Sequence, residues 1–271
     1  MNESLVKYLS GLLDADGSLS FNFKCDKNRL ERYFISLQLK LSGSDAVDPF
    51  GFIENLPGTT GMGISYREGR NKQFVVWVVA KRADLEMLLP RLIKHQVIKA
   101  KHWQWMLDKW RELRSENKTC SKEEREMLTL ECKKSRLIRT GPIKPKNHPT
   151  WAWLAGYLDG DGSYTFRRNF NKRDQKINLH MKVSAVAHAN DTHVLRWLKQ
   201  HFGGYLSNHG QSKNVDVWTR SLGANNRSFA LRFLPKLVKH SRLKRHKIEQ
   251  MIAFSRQQRL SVPAPSGEAT V

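Results

Sequence analysis

Cysteine is scarce in this chain: Cys25, Cys120 and Cys132 are the only three among 271 residues. They cannot form a disulfide framework, and their spacing fits no zinc site, so they read as reduced thiols of an intracellular protein. No apolar run approaches the about 20 residues that a bilayer span requires. The first residues lack the basic-then-apolar layout of a secretion signal and enter a helix almost at once, so no leader is expected. Ten histidines are scattered without an HxxxH pattern or a Cys/His cluster, which argues against a histidine-built metal site. Acid is the scarce sign of charge, with 25 Asp+Glu against 47 Lys+Arg and a net charge of +22. That balance points to a polyanionic partner rather than a membrane. The excess is uneven: residues 150–271 hold 20 Lys+Arg against 7 Asp+Glu, so the second half should make the stronger phosphate contacts. A hydrophobic content of 39% suffices for two cores.

What the chain does have is a repeat. Leu9-Ser10-Gly11-Leu12-Leu13-Asp14-Ala15-Asp16-Gly17 returns as Leu154-Ala155-Gly156-Tyr157-Leu158-Asp159-Gly160-Asp161-Gly162, 145 residues later. Leu89-Pro90-Arg91-Leu92-Ile93-Lys94-His95 with Lys99 returns at the same offset as Leu234-Pro235-Lys236-Leu237-Val238-Lys239-His240 with Lys244. One domain is therefore written twice. The expected division is 1–118 and 150–260 for the two copies, 119–149 for a linker and 261–271 for a disordered tail.

Helical spacing of Leu5, Tyr8, Leu9, Leu12 and Leu13 predicts a helix over 3–15, with Ser4 as N-cap and Gly17 as terminator. Pro149 and Thr150 open its counterpart. Strict alternation follows each motif, over 18–24 and 32–41, then 163–167 and 176–184, and marks an antiparallel sheet with one apolar and one wet face. Further strands are expected near 60–67, 72–80, 204–209 and 214–220. Helices are expected near 45–55, 83–95, 99–116, 190–202, 227–239 and 243–258, and a capping box at Ser121 and Glu124 predicts one over 122–136. The fold class is α+β, with helices on one side of a four-stranded sheet in each copy. The tryptophans Trp77, Trp103, Trp105, Trp110, Trp151, Trp153 and Trp218 read as core.

Asp16 and Asp161 each sit where a helix ends, at the negative pole of its dipole, and a carboxylate is unfavourable there unless a cation joins it. Carboxylates, carbonyls and water are the ligands that hard divalent cations take. Gly11 with Ala15, and Gly156 with Gly160, give each helix a face of small residues that permits close approach. If the two helices pack on each other, their acidic ends meet and could hold Mg²⁺ against a phosphodiester. Asp14 and Asp159 read as capping or supporting groups, with direct ligation the lesser alternative. Lys99 and Lys244 read either as part of a solvated face or as groups that polarise the attacking water or steady charge on the phosphate. Lys101 and His246 are neighbours able to take that place.

The wet strand faces offer a surface for reading the major groove. Its candidates are Ser20, Asn22, Lys24, Arg29, Arg32, Gln38, Lys40, Arg67 and Arg70 in the first copy. In the second they are Arg167, Arg168, Asn169, Lys172, Arg173, Lys176, Asn178, His180 and Lys182.

Both nonapeptides resemble the motif of the LAGLIDADG homing endonucleases, and the chain is similar to their single-chain, two-motif members over 3–258. The resemblance implies a pseudo-twofold, duplicated αββαββα homing-endonuclease fold, whose two antiparallel four-stranded sheets form a saddle over double-stranded DNA. It implies a monomer that cuts both strands of a long recognition site and leaves short 3′ overhangs. The cofactor would be Mg²⁺, as two or three ions, with Mn²⁺ or Ca²⁺ able to substitute for binding. It makes Asp16 and Asp161 metal ligands and Lys99 and Lys244 catalytic. The polar group expected near the metal falls on Gly43 and Ala185, which have no side chain for it, with Ser42 and Ser184 adjacent. The resemblance implies a gene within an intron or intein of an organelle or microbial genome; with no splicing-domain sequence flanking the motifs, an intron or free-standing origin is expected, in a mitochondrion, a chloroplast or a bacterial or archaeal cytoplasm. The alternatives are an RNA maturase, which needs the basic surface but not both acids, and a non-cleaving DNA-binding regulator, against which the two retained acids argue.

Overall fold

The computed structural model describes residues 1–25, 31–42, 55–67, 70–115, 121–136, 149–171, 176–188, 192–208, 215–222 and 227–257. The helix expected over 45–55 and the tail expected over 261–271 lie outside them, as do Arg29, Gly43, Lys172 and Arg173.

The first half runs α1 (Glu3–Asp16), β1 (Gly17–Cys25), β2 (Glu31–Ser42), β3 (Thr59–Arg67), β4 (Arg70–Val79), α2 (Arg82–Ile93) and α3 (Ala100–Ser115). After α4 (Lys122–Ser135) the order returns as α5 (Trp151–Gly160), β5 (Gly162–Asn171), β6 (Lys176–His188), α6 (Thr192–Phe202), β7 (Tyr205–Asn208), β8 (Val215–Ser221), α7 (Arg227–Val238) and α8 (Arg245–Gln257). The two antiparallel sheets share one strand order, β1-β2-β4-β3 and β5-β6-β8-β7. This is the expected α+β class, and every expected element within the described residues is present.

Two local expectations need correction. Asn2, not Ser4, caps α1, its side-chain oxygen accepting the Leu5 N–H at 2.9 Å. Gly17 does not end α1 through a left-handed turn, since its backbone is extended at φ −81° and ψ 152°. Glycine is needed for space: a methyl group there would lie 2.7 Å from Leu13 O, and one on Gly162 would lie 2.3 Å from Leu158 O.

The motif helices pair at the centre of the molecule. A methyl group on Gly11 would fall 1.9 Å from Trp153 O, and one on Gly156 would fall 2.0 Å from Tyr8 O. Only a hydrogen fits at either point, so two backbones lie in direct contact. The pairing also explains the hydropathy of α5, where Ala152 to Asp159 are all buried: a helix covered on every side is apolar on every side. The apolar strand faces carry the cores, with Leu19, Ile35, Leu37 and Trp77 in one half and Met181, Val183, Ala185 and Trp218 in the other. The opposite face stays wetter, and it begins where α1 and α5 end.

Candidate active site at the paired helix tips

Asp16 is the last residue of α1 and stays open to solvent, while Asp161 caps α5 and is half buried. The tips meet: a methyl group on Gly160 would lie 2.5 Å from the Ala15 Cβ and 2.9 Å from Asp16 Oδ2. Surrounding protein raises the Asp16 carboxyl above its ordinary value, and the charges of Lys244 and Lys99 oppose that shift. Asp16 thus lies in the field of both repeated lysines, one from each half. Burial lowers the Lys244 ammonium, against the charges of Asp159, Asp16 and Asp161. Acids and lysines of both halves therefore form one electrostatic cluster.

The lysines cap the motif helices. Lys99 Nζ donates to Leu13 O at 2.9 Å, Ala15 O at 3.3 Å and Gly17 O at 2.7 Å. Lys244 Nζ donates to Leu158 O and Gly160 O, both at 3.1 Å, and to Gly162 O. An ammonium group has three donors, and here it meets three main-chain carbonyls around the helix end, the first of which (Leu13 O, Leu158 O) also accepts the N–H of the C-cap residue. It also meets the negative end of the helix dipole, where a cation is stabilising.

Asp14 and Asp159 support this frame. Asp14 is buried and accepts the N–H groups of Val97 at 2.7 Å, Ile98 at 3.2 Å and Lys99 at 3.0 Å. Asp159 accepts the Arg242 N–H at 2.8 Å, the Leu243 N–H at 3.0 Å and the Ser241 hydroxyl at 2.7 Å. Each carboxylate fixes the turn before the helix that follows its lysine, and charge-assisted bonds of this kind are strong. Burial raises the Asp14 carboxyl, and the amide bonds and Lys99 pull it back.

Strand register revises one assignment. Gly17 pairs with Leu39 and Gly162 with Ala185, so Leu39, not Gly43, corresponds to Ala185. Both are core residues. The polar groups beside them are Gln38, opposite Ser18, and Ser184, whose hydroxyl lies 2.7 Å from that of Ser163. A cleft of about 230 Å³ adjoins the first tip, lined in part by Ser18, Lys99, His102 and Arg136. The sequence did not single out His102 or Arg136. Arg136 follows α4, so nothing in the repeat pattern placed it near Lys99.

On the wet faces, Lys40, Arg167, His180 and Lys182 are exposed, and Ser20, Asn22 and Gln38 half buried. Asn22 donates to the Ser36 hydroxyl at 2.8 Å, and Lys40 sits 3.7 Å from the Phe74 ring centre. Register puts the backbones of Lys24, Arg32, Arg67 and Arg70 on the same face as Gln38, and those of Asn169, Lys176 and Asn178 on the face of Arg167. Arg168 is the exception. It pairs with Leu179, on the face shared by Tyr164 and Met181, away from its neighbours in the candidate surface. Lys101 is exposed and His246 half buried, and neither takes the place of the capping lysines. Among the described residues no group of three or more His, Cys, Asp or Glu forms a metal cluster, and no helix is long and apolar enough to cross a membrane.

The family model described as LAGLIDADG endonuclease matches residues 154–254. The probable intron-encoded endonuclease Cox1-I1b of Schizosaccharomyces pombe (strain 972) is 22% identical over 163 residues, 59% of this chain and 41% of that protein. The chain thus spans about two fifths of the length of that relative. Among solved structures, the LAGLIDADG homing endonuclease I-GzeII in complex with its DNA target is 15% identical at a TM-score of 0.66, over 94% of this chain and 91% of that one. I-SmaMI bound to cleaved DNA is 17% identical at a TM-score of 0.61, over 96% and 90%. Residues 154–254 therefore match the LAGLIDADG endonuclease family model, and the chain as a whole has the fold of the LAGLIDADG homing endonucleases, built twice along one polypeptide.

Proposed function

We propose that this protein is a monomeric, site-specific homing endonuclease that cuts both strands of a long duplex target, leaving short 3′ overhangs. The observation that carries the reading is the meeting of two acid-bearing helix tips between two lysines, where two basic strand faces begin. Neither the net charge nor either acid alone would require that convergence.

Asp16 and Asp161, with the main-chain carbonyls of Ala15 and Gly160, are the oxygen donors for divalent metal. The fit rests on their chemistry: these carbonyls lie at the helix tips, where they accept long lysine bonds of 3.3 and 3.1 Å, and an all-oxygen set suits Mg²⁺. One carboxylate from each tip would hold the metal, with DNA phosphates and water supplying further oxygens. Bound there, the metal would supply Lewis-acid stabilisation of the phosphodiester and an activated water. Lys99 and Lys244 hold positive charge beside the reacting phosphates and keep the tips in place. Gln38 and Ser184 stand where they can orient water. Arg167, His180, Lys182 and Lys40 contact phosphates and base edges. The kinship with an intron-encoded protein supports an organelle or microbial intron as the gene's setting.

The deciding experiment selects cleaved sites from a randomised duplex library in Mg²⁺. Recovery of one long site cut on both strands, lost on chelation, is the expected result. A library left intact in Mg²⁺ and Mn²⁺ overturns the reading.

A further inference from the structure

We propose that Tyr8 and Trp153 are positioning residues, each holding the lysine-bearing turn of the opposite half, so that each active centre is completed across the helix pair. The inference rests on the endonuclease reading for its consequence, though not for its geometry. Tyr8 and Trp153 occupy the same place in the two copies, 145 residues apart, and both are 1% exposed. Each aims its single donor at the first acid of the other motif. The Tyr8 hydroxyl donates to Asp159 Oδ2 at 2.7 Å, and Trp153 Nε1 donates to Asp14 Oδ2 at 3.0 Å. Burial and the charge of Asp159 hold the Tyr8 hydroxyl well above its ordinary pKa, so it stays protonated and remains a donor.

The bonds run on to the turns. Asp14 grips the backbone N–H of Lys99 itself, and Asp159 grips the N–H of Leu243, next to Lys244. Trp153 is therefore one carboxylate away from Lys99, and Tyr8 one carboxylate away from the turn that delivers Lys244. A second contact joins the latter pair, since the Arg242 guanidinium lies 5.8 Å from the Tyr8 ring centre. A phenol and an indole differ in shape, yet they place a donor on equivalent oxygens. The shared property is the donor, which sets the carboxylate's orientation and through it the turn. On the endonuclease reading, the pseudo-twofold relation of the halves assigns Lys99 and Lys244 to opposite strands of an antiparallel duplex. A loosened turn therefore impairs one strand.

The test compares amide hydrogen exchange and strand-resolved nicking in Tyr8→Phe, Trp153→Phe and Trp153→Tyr. Tyr8→Phe should speed exchange at Arg242 and Leu243 by on the order of tenfold while sparing Val97 to Lys99, and Trp153→Phe should do the reverse. Trp153→Tyr, which restores a donor, should recover most of the protection. In nicking of an end-labelled target, the two Phe variants should slow opposite strands by on the order of tenfold to a hundredfold, with duplex affinity unchanged. Equal acceleration at both turns, no acceleration, or equal slowing of both strands overturns the inference. Should the parent protein cut nothing, the endonuclease reading falls, and the exchange pattern still decides the linkage.

Discussion

At the residue scale, Asp16 pays for its position. It stands at the negative end of α1, and the surrounding protein raises its carboxyl above the ordinary value. A folded pKa above the unfolded one means that the ionised side chain opposes folding once the pH exceeds the folded value. Below the unfolded value of about 3.9 the opposition vanishes. Asp16→Asn should therefore melt higher than the parent near neutral pH, and the gap should close as the pH falls towards about 4. The same substitution, and Asp161→Asn, should lower double-strand cleavage by at least about a thousandfold while leaving duplex binding nearly unchanged. Unaltered cutting by either variant removes the metal assignment. Lys99 is different, because its ammonium holds three carbonyls. Lys99→Met should lose both melting temperature and cleavage. Lys99→Arg should restore neither, since a planar guanidinium cannot reproduce a compact three-pronged donor.

At the element scale, the motif helices form the interface between the halves, and on the proposed reading their ends carry the site as well. The close contacts at Gly11 and Gly156 couple the two, since a shift of one helix moves the acid at its tip. Gly11→Ala and Gly156→Ala should each cost about 1–3 kcal/mol, a fall of several degrees in melting temperature, and should reduce cleavage more than binding. A calorimetric trace that superimposes on the parent's would show that the seam can relax. The helices and strands themselves were legible from periodicity and turn chemistry, because β2 and β6 bury alternate residues and the large apolar side chains of α1 fall at helical spacing. The cap of α1 was not, since Asn2 and Ser4 are both good N-cap residues and only the position of the Leu5 N–H selects Asn2.

At the scale of the whole molecule, charge is the leading quantity. The net charge of +22 and its concentration in residues 150–271 predict binding driven by release of counterions from DNA. The logarithm of the affinity should fall linearly with the logarithm of salt concentration, with a slope near −0.9 for each phosphate neutralised. Paired substitutions Arg167→Ala with Lys182→Ala should flatten that slope by up to about two such steps. Titration at several salt concentrations reads this directly, and an unchanged slope would remove these side chains from the phosphate contacts.

The sequence by itself determined the duplication, the element order, the apolar faces and the identity of the acids at the helix ends. All of these follow from local spacing, which the chain carries wherever it goes. It gave Asp14 and Asp159 as capping or supporting groups without their partners, and Trp153 as ordinary core, because a bond between residues 139 positions apart leaves no periodic trace. It also matched Ala185 to Gly43, with Ser184 already named as the polar neighbour, when the β1–β2 register matches Ala185 to Leu39 and so puts Gln38 beside the first tip. Only the tertiary structure decided those points. Strand register and the approach of two helices depend on how surfaces close on each other, and a linear pattern specifies which faces are apolar but not which atoms meet.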